Sequence, residues 1–211
     1  LNESGADVTI SKGKTAGTVV FEAGNSGIGI HANSNPVIGY TNAAGSNSYF
    51  VEEVESFSHK LSIGDAKWSS LVLGYNTEIP TEVSAYVVDE VGNDKVVLSQ
   101  VNGILSANTP ILVNAPKSNY DFTYSAETPT VMNNGNLAGT LVNAYIADEA
   151  YVLSKPTIDG VAQSVGLYKA TLNKNENGAE GKTHFLNNAN KAYLPATAGG
   201  EARFLVFDFG T

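Results

Sequence analysis

The sequence predicts an all-β chain whose main part is an antiparallel β-sandwich, and three observations carry that expectation. Short runs rich in Val, Ile, Tyr and Phe recur along the whole length, each bounded by Gly, Asn, Asp or Pro. Apolar residues almost nowhere return at helical spacing for three turns, and only residues 135–142 are compatible with a helical bend. The composition is 42% apolar and 16% charged, with 21 Gly and no Cys in 211 residues. That excludes intrinsic disorder, and a chain of this size buries enough surface to hold a core without disulfides.

In chain order the expected strands begin with Thr18-Val-Val-Phe-Glu22, Gly27-Ile-Gly-Ile-His31, Val37-Ile-Gly-Tyr40 and Tyr49-Phe-Val-Glu-Glu53. A break follows near residue 56, where one pattern ends and a new series opens around Trp68. Two domains are therefore expected, 1–55 and 56–211. The second series runs through Ser70-Leu-Val-Leu73, Ala85-Tyr-Val-Val88, Lys95-Val-Val-Leu98, Pro110-Ile-Leu-Val113 and Tyr120-Asp-Phe-Thr-Tyr124. It closes with Tyr151-Val-Leu153, Val165-Gly-Leu-Tyr-Lys169, Ala192-Tyr-Leu194 and Arg203-Phe-Leu-Val-Phe207. Between the runs, residues 89–94 read as a hairpin in which Gly92 and Asn93 supply positive φ. Residues 173–181 form a longer polar loop whose Gly, Asn and charge keep it exposed. Trp68, the single Trp, is expected to face inward at the start of the sandwich core.

After residue 56 the chain partly repeats itself. Ala85-Tyr86-Val87-Val88 returns as Ala150-Tyr151-Val152-Leu153, and Ala107-Asn108-Thr109-Pro110-Ile111-Leu112 returns as Ala189-Asn190-Lys191-Ala192-Tyr193-Leu194. Two such units can cover one another's apolar faces. The Ala-Asn pair reads as a corner, because Asn tolerates the left-handed region.

These residues carry two resemblances. Trp68-Ser-Ser-Leu, Ile79-Pro80, Ala85-Tyr86-Val87 and Leu105 to Leu112, with their second-copy counterparts, resemble a C-terminal β-sandwich module of secreted gut Bacteroidota proteins. The resemblance covers about residues 57–211. It implies an accessory domain attached to glycosidases, peptidases or surface proteins, and it brings no ligand residues with it. The segment from Gly27-Ile-Gly-Ile-His31-Ala-Asn33 to Ser48-Tyr-Phe-Val-Glu52-Glu53-Val54 is similar to the closing repeat of a ricin-like β-trefoil. It implies a partial trefoil-like β unit at the N-terminal end of the fold. The chain opens on Leu1 without initiator Met, basic region or apolar leader, and it closes on a strand that stops abruptly. Both ends are expected to be cuts between modules of a longer polypeptide.

Charge and motifs narrow the function. With 12 Lys and Arg against 21 Asp and Glu the net charge is −9, which argues against a nucleic-acid partner. No apolar run is long enough to span a membrane as a helix. His31, His59 and His184 stand apart in sequence and Cys is absent, so no metal centre or other cofactor is expected. No Ser sits in a nucleophile elbow, and Gly27-Ile-Gly29 lacks the helix a phosphate cradle needs. The carboxylate pairs 52/53, 89/90, 148/149 and 176/180 fall on opposite strand faces or in solvated loops. Asn173-x-Asn175-x-Asn177-Gly178 mimics half a calcium loop but brings no charge, and the twelfth position holds His184 in place of Glu. The residue types that suit a sugar, an aromatic ring with amides and an imidazole, cluster at His31, Asn33, Asn35 and Tyr40.

The expectation is therefore a non-enzymatic accessory region with no catalytic residues, secreted or on the outer surface of a Gram-negative bacterium. Glycan is its expected ligand class, and other domains of the same polypeptide are its expected neighbours. The alternative is a purely structural spacer or docking domain for a neighbouring glycosidase or peptidase domain.

Overall fold

The computed structural model describes residues 58–132, 135–196 and 202–210 in full, and before residue 58 it describes the backbone of the strands alone. Those early strands are β1 (Asn2–Glu3), β2 (Ala6–Asp7), β3 (Thr18–Glu22), β4 (Ile28–Ala32), β5 (Pro36–Thr41), β6 (Ser48–Glu53) and the start of β7 (Ser56–Ile63). A first group follows: β8 (Trp68–Leu71), β9 (Thr77–Glu78), β10 (Ser84–Val91), β11 (Lys95–Val101), β12 (Ile104–Leu105), β13 (Ile111–Asn114) and β14 (Ser118–Thr123). The second comprises β15 (Ala138–Thr140), β16 (Ala144–Ile146), β17 (Ala150–Ser154), β18 (Thr157–Ile158), β19 (Val161–Ala162), β20 (Gly166–Lys169), β21 (Phe185–Asn187), β22 (Lys191–Pro195) and β23 (Phe204–Asp208).

The chain is all-β, as its sequence predicts, and its centre is a nine-stranded mixed sheet in the order β15-β22-β17-β20-β23-β11-β10-β13-β8. The sheet holds the internal repeat. Strands β8, β10, β11 and β13 lie in the order β8-β13-β10-β11, and β15, β17, β20 and β22 lie in the equivalent order β15-β22-β17-β20. The register repeats too: Tyr86 faces Leu112 and Gln100, while Tyr151 faces Leu194 and Lys169. Each copy adds a two-stranded ribbon at the same place, β9 with β12 and β16 with β21. The last strand, β23, joins the copies, antiparallel to β20 and parallel to β11.

The repeated Ala-Asn corners behave as the sequence suggests. Asn108 and Asn190 take φ of 60° and 59°. Ahead of each corner an earlier Asn caps the Ala: the Ala107 N–H donates to Asn76 Oδ1 at 2.9 Å, and the Ala189 N–H donates to Asn143 Oδ1 at 2.8 Å. Two local expectations fail. Residues 135–142 do not bend into helix, because Ala138–Thr140 pairs with β22 as strand. The 89–94 hairpin forms, but neither Gly92 nor Asn93 has positive φ; the turn closes through the Gly92 N–H donating to Lys95 O at 2.8 Å.

Two cores result, because strands of the first copy are covered on both faces. Ile111, Leu112 and Val113 are all fully buried, which explains an unbroken apolar run where a one-sided strand would alternate. Leu71, Ala85, Val87, Ile111 and Val113 pack with Leu61, Ile63 and Phe122 of β7 and β14. Those two strands belong to a separate sheet ordered β14-β7-β3. On the other face, Val88, Leu98 and Leu112 of the first copy share a core with Tyr151, Leu167, Leu194 and Leu205. Trp68 is only half-buried there, at the rim with Tyr86, Phe207 and Phe209.

The large sheet nearly closes on itself, and side chains fasten the seam. The Ala192 N–H donates to Ser70 Oγ at 3.1 Å, and Lys191 Nζ donates to Ser69 Oγ at 2.8 Å and Ser70 O at 3.3 Å. Val72 N–H donates to Asn190 O, and Asn190 Nδ2 returns a bond to Val72 O at 3.0 Å. Gly139 admits this approach, since a Cβ there would lie 2.7 Å from Val72 Cγ1.

Asn190 thus joins a left-handed corner to a seam contact, and the two contributions separate by mutation. Asn190→Gly should cost about 1 kcal/mol through the lost hydrogen bond. Asn190→Val should cost about 2–4 kcal/mol, because a β-branched residue adds strain at positive φ. Urea unfolding of the two variants beside wild type measures the difference, and equal losses would mean the corner carries no strain.

Candidate ligand groove

Of the residues expected to bind sugar, His31 and Tyr40 fall on paired strands, His31 opposite Val37 and Tyr40 opposite Ile28. Asn33 and Asn35, and the side chains of all four, lie outside the described residues.

The described residues contain a different candidate, an open groove of about 530 Å³ on the second copy. Its walls include Val152 of β17, Thr171 just after β20, Asn173, Phe185 and Asn187 of β21, and Lys191 of β22. The repeat explains why it is there. Leu105 in the first copy corresponds to Asn187 in the second, Gly103 to Phe185, and Thr109 to Lys191. In the first copy Leu105 joins the core packed under β7 and β14, and Thr109 is buried and bonded to Ser106 Oγ. In the second copy the same scaffold bears amides and amines around a groove.

The groove is held firmly. Asn187 is only 4% exposed, and its Nδ2 donates to Thr140 Oγ1 at 2.7 Å and Lys191 O at 2.9 Å. Phe185 is buried and meets Tyr193 edge-on, with centroids 5.8 Å apart. The polar loop between β20 and β21 is a hydrogen-bonded ribbon. Asn173 and Lys174 N–H groups donate to His184 O, and Asn175 Oδ1 accepts from Asn177 N–H at 2.9 Å and Ala179 N–H at 3.1 Å. The Asn175 side chain therefore bonds its own loop.

Electrostatically the groove departs from the chain's average. Two lysines line it, Lys174 and Lys191, and no described Asp or Glu does. Burial pushes the Lys191 ammonium below the usual lysine range. The carboxylates singled out in sequence lie elsewhere: Glu149 pairs with Lys169 at 2.9 Å, and Asp89 accepts from Ser99 Oγ at 3.0 Å. Among the described residues no three His, Cys, Asp or Glu gather where a metal ion could sit.

One buried group outside the groove lining lies within reach of the Lys191 charge. His59 on β7 is 3% exposed, and its Nε2 has no hydrogen-bond partner among the described residues. Burial, with a smaller contribution from the Lys191 charge, brings its pKa down from 6.5 to about 4.

Sequence reasoning placed no site at the groove and named Lys191 only as part of the repeat. The signal was present in the aligned copies, where Thr109 is replaced by Lys191 inside an otherwise apolar motif. No protein-family model, curated protein or solved structure matches this chain.

Proposed function

We propose that this chain is a non-catalytic accessory region of a secreted or cell-surface multidomain protein, and that it binds carbohydrate. The observation that carries the reading is the groove on the second copy. Its volume suits a few sugar rings, and small-ligand sites commonly span about 300–1,000 Å³. Its Asn and Thr side chains match the alternating donors and acceptors of a polyol, while the half-buried Val152 suits the C–H face of a ring. The sandwich reading of the main part draws support from β14-β7-β3 packing over the first copy. The trefoil-like hairpin with His31, Asn33, Asn35 and Tyr40 is a second glycan contact in this proposal.

The spacer reading rests on a separate feature. Phe204 and Val206, at 46% and 43% exposure, alternate with buried Leu205 and so lie on the outward face of β23, which a neighbouring domain would cover.

Screening the 211-residue chain on a glycan array tests the binding proposal. The expected result is selective binding that falls by at least about tenfold, roughly 1.4 kcal/mol, when Thr171→Trp fills the groove from its exposed rim. Binding unchanged by Thr171→Trp would move the site away from the groove. No binding at all would leave the spacer reading in its place.

A further inference from the structure

We infer that the groove on the second copy takes an acidic saccharide, one bearing carboxylate or sulfate groups; this rests on the carbohydrate reading above and gives its ligand a charge. The chain carries almost twice as many acidic as basic residues, 21 against 12, yet the groove holds two lysines and no described acid. Attraction there is local, because a Debye length of about 8 Å screens the acidic surface beyond the groove at physiological salt.

The two lysines sit in different settings, and together they define the site. Lys191 is fixed, with its amine held by Ser69 Oγ and Ser70 O across the seam. Neither partner carries a charge, so among the described residues this buried ammonium has no counter-ion. A ligand anion in the groove would supply one. Lys174 lines the groove on the 173–184 ribbon, where its backbone N–H donates to His184 O. The exposed Asn173 and Asn188 also line the groove, and their amides can bond ring hydroxyls. Two lysines and exposed amides in one groove suit a polymer with an anionic group on recurring sugar units. A neutral glycan would leave the buried Lys191 ammonium with uncharged partners alone.

The comparison of copies points the same way. At the place of Lys191 the first copy has Thr109, buried and bonded to Ser106 Oγ at 2.7 Å. A Thr satisfies that corner locally, so the fold does not require a cation there. The cation in the second copy belongs to a residue that lines the groove, with its amine held at the seam by Ser69 and Ser70.

The test is calorimetric titration of the 211-residue chain with three probes: hexagalacturonate, a chondroitin sulfate hexamer and neutral xylohexaose. Either acidic hexamer should bind at least about tenfold tighter than xylohexaose, and Lys174→Gln should remove most of that preference. Lys174 is the residue to change because Lys191 also fastens the seam. Thermal melting confirms that the variant is folded. If xylohexaose binds as tightly as both acidic hexamers and Lys174→Gln changes nothing, the charge inference falls while the carbohydrate reading stands. If none of the three binds, and the glycan array is also empty, both fall together.

Discussion

Tyr151→Ala is expected to lower the unfolding free energy by about 3–5 kcal/mol, the largest effect of any single side chain considered for this protein. Tyr151 is fully buried at the centre of the core shared by the two copies, packed among Leu167, Leu194 and Leu205. Its hydroxyl also donates to Ala202 O at 2.8 Å, tying the segment before β23 to β17. Truncation empties an aromatic volume in a close-packed interior and leaves a carbonyl without its donor. The same change at Tyr86, its counterpart in the first copy, should cost distinctly less. Tyr86 is only half-buried, at the rim beside Trp68 and Phe209. Urea unfolding of both variants measures the contrast. Equal losses would mean that the shared core is not centred where Tyr151 lies.

Acid should destabilise the chain through His59. The folded-state pKa, about 4, lies below the unfolded value of 6.5, so between these values the unfolded chain binds more protons than the folded one. Stability from this group is complete above about pH 6.5 and is lost as pH falls toward 4. Over that window the shift corresponds to about 3 kcal/mol, and at pH 4.5 about 2–3 kcal/mol should be gone. His59→Phe should keep the stability of wild type at pH 7, or raise it, since it removes a buried nitrogen that lacks a partner. Denaturant unfolding of both proteins at pH 7 and 4.5 decides the matter. If His59→Phe loses as much as wild type on acidification, other groups carry the acid sensitivity. Tyr75, whose pKa burial raises, packs in the same core and stays neutral throughout this range.

Much of the architecture was legible in particular residues. Ala85-Tyr86-Val87 and Ala150-Tyr151-Val152 announced equivalent strands, and they pair in equivalent register. Asn108 and Asn190 announced corners, because few other residues accept positive φ so readily. Other features were hidden. Gly92 and Asn93 have turn-forming chemistry but belong to a hairpin whose backbone does not use it. Residues 135–142 contain too few β-branched side chains to declare a strand, yet β22 offers Ala138–Thr140 a ladder to join. Trp68 looked like a core anchor, and its place at the rim depends on Phe207 and Phe209 arriving from the far end of the chain.

The sequence by itself determined the all-β class, the duplication and the corners that start β13 and β22, since periodicity and backbone preference are local properties. Tertiary structure alone decided three things: which copy is covered by β7 and β14, how β23 joins the halves, and where the seam brings Lys191 to Ser69 and Ser70. The pairing of β23 with β11 and the Lys191 seam depend on segments more than a hundred residues apart meeting in a set register. Pairing of that kind is chosen by the packing of whole faces, which no short window of residues contains.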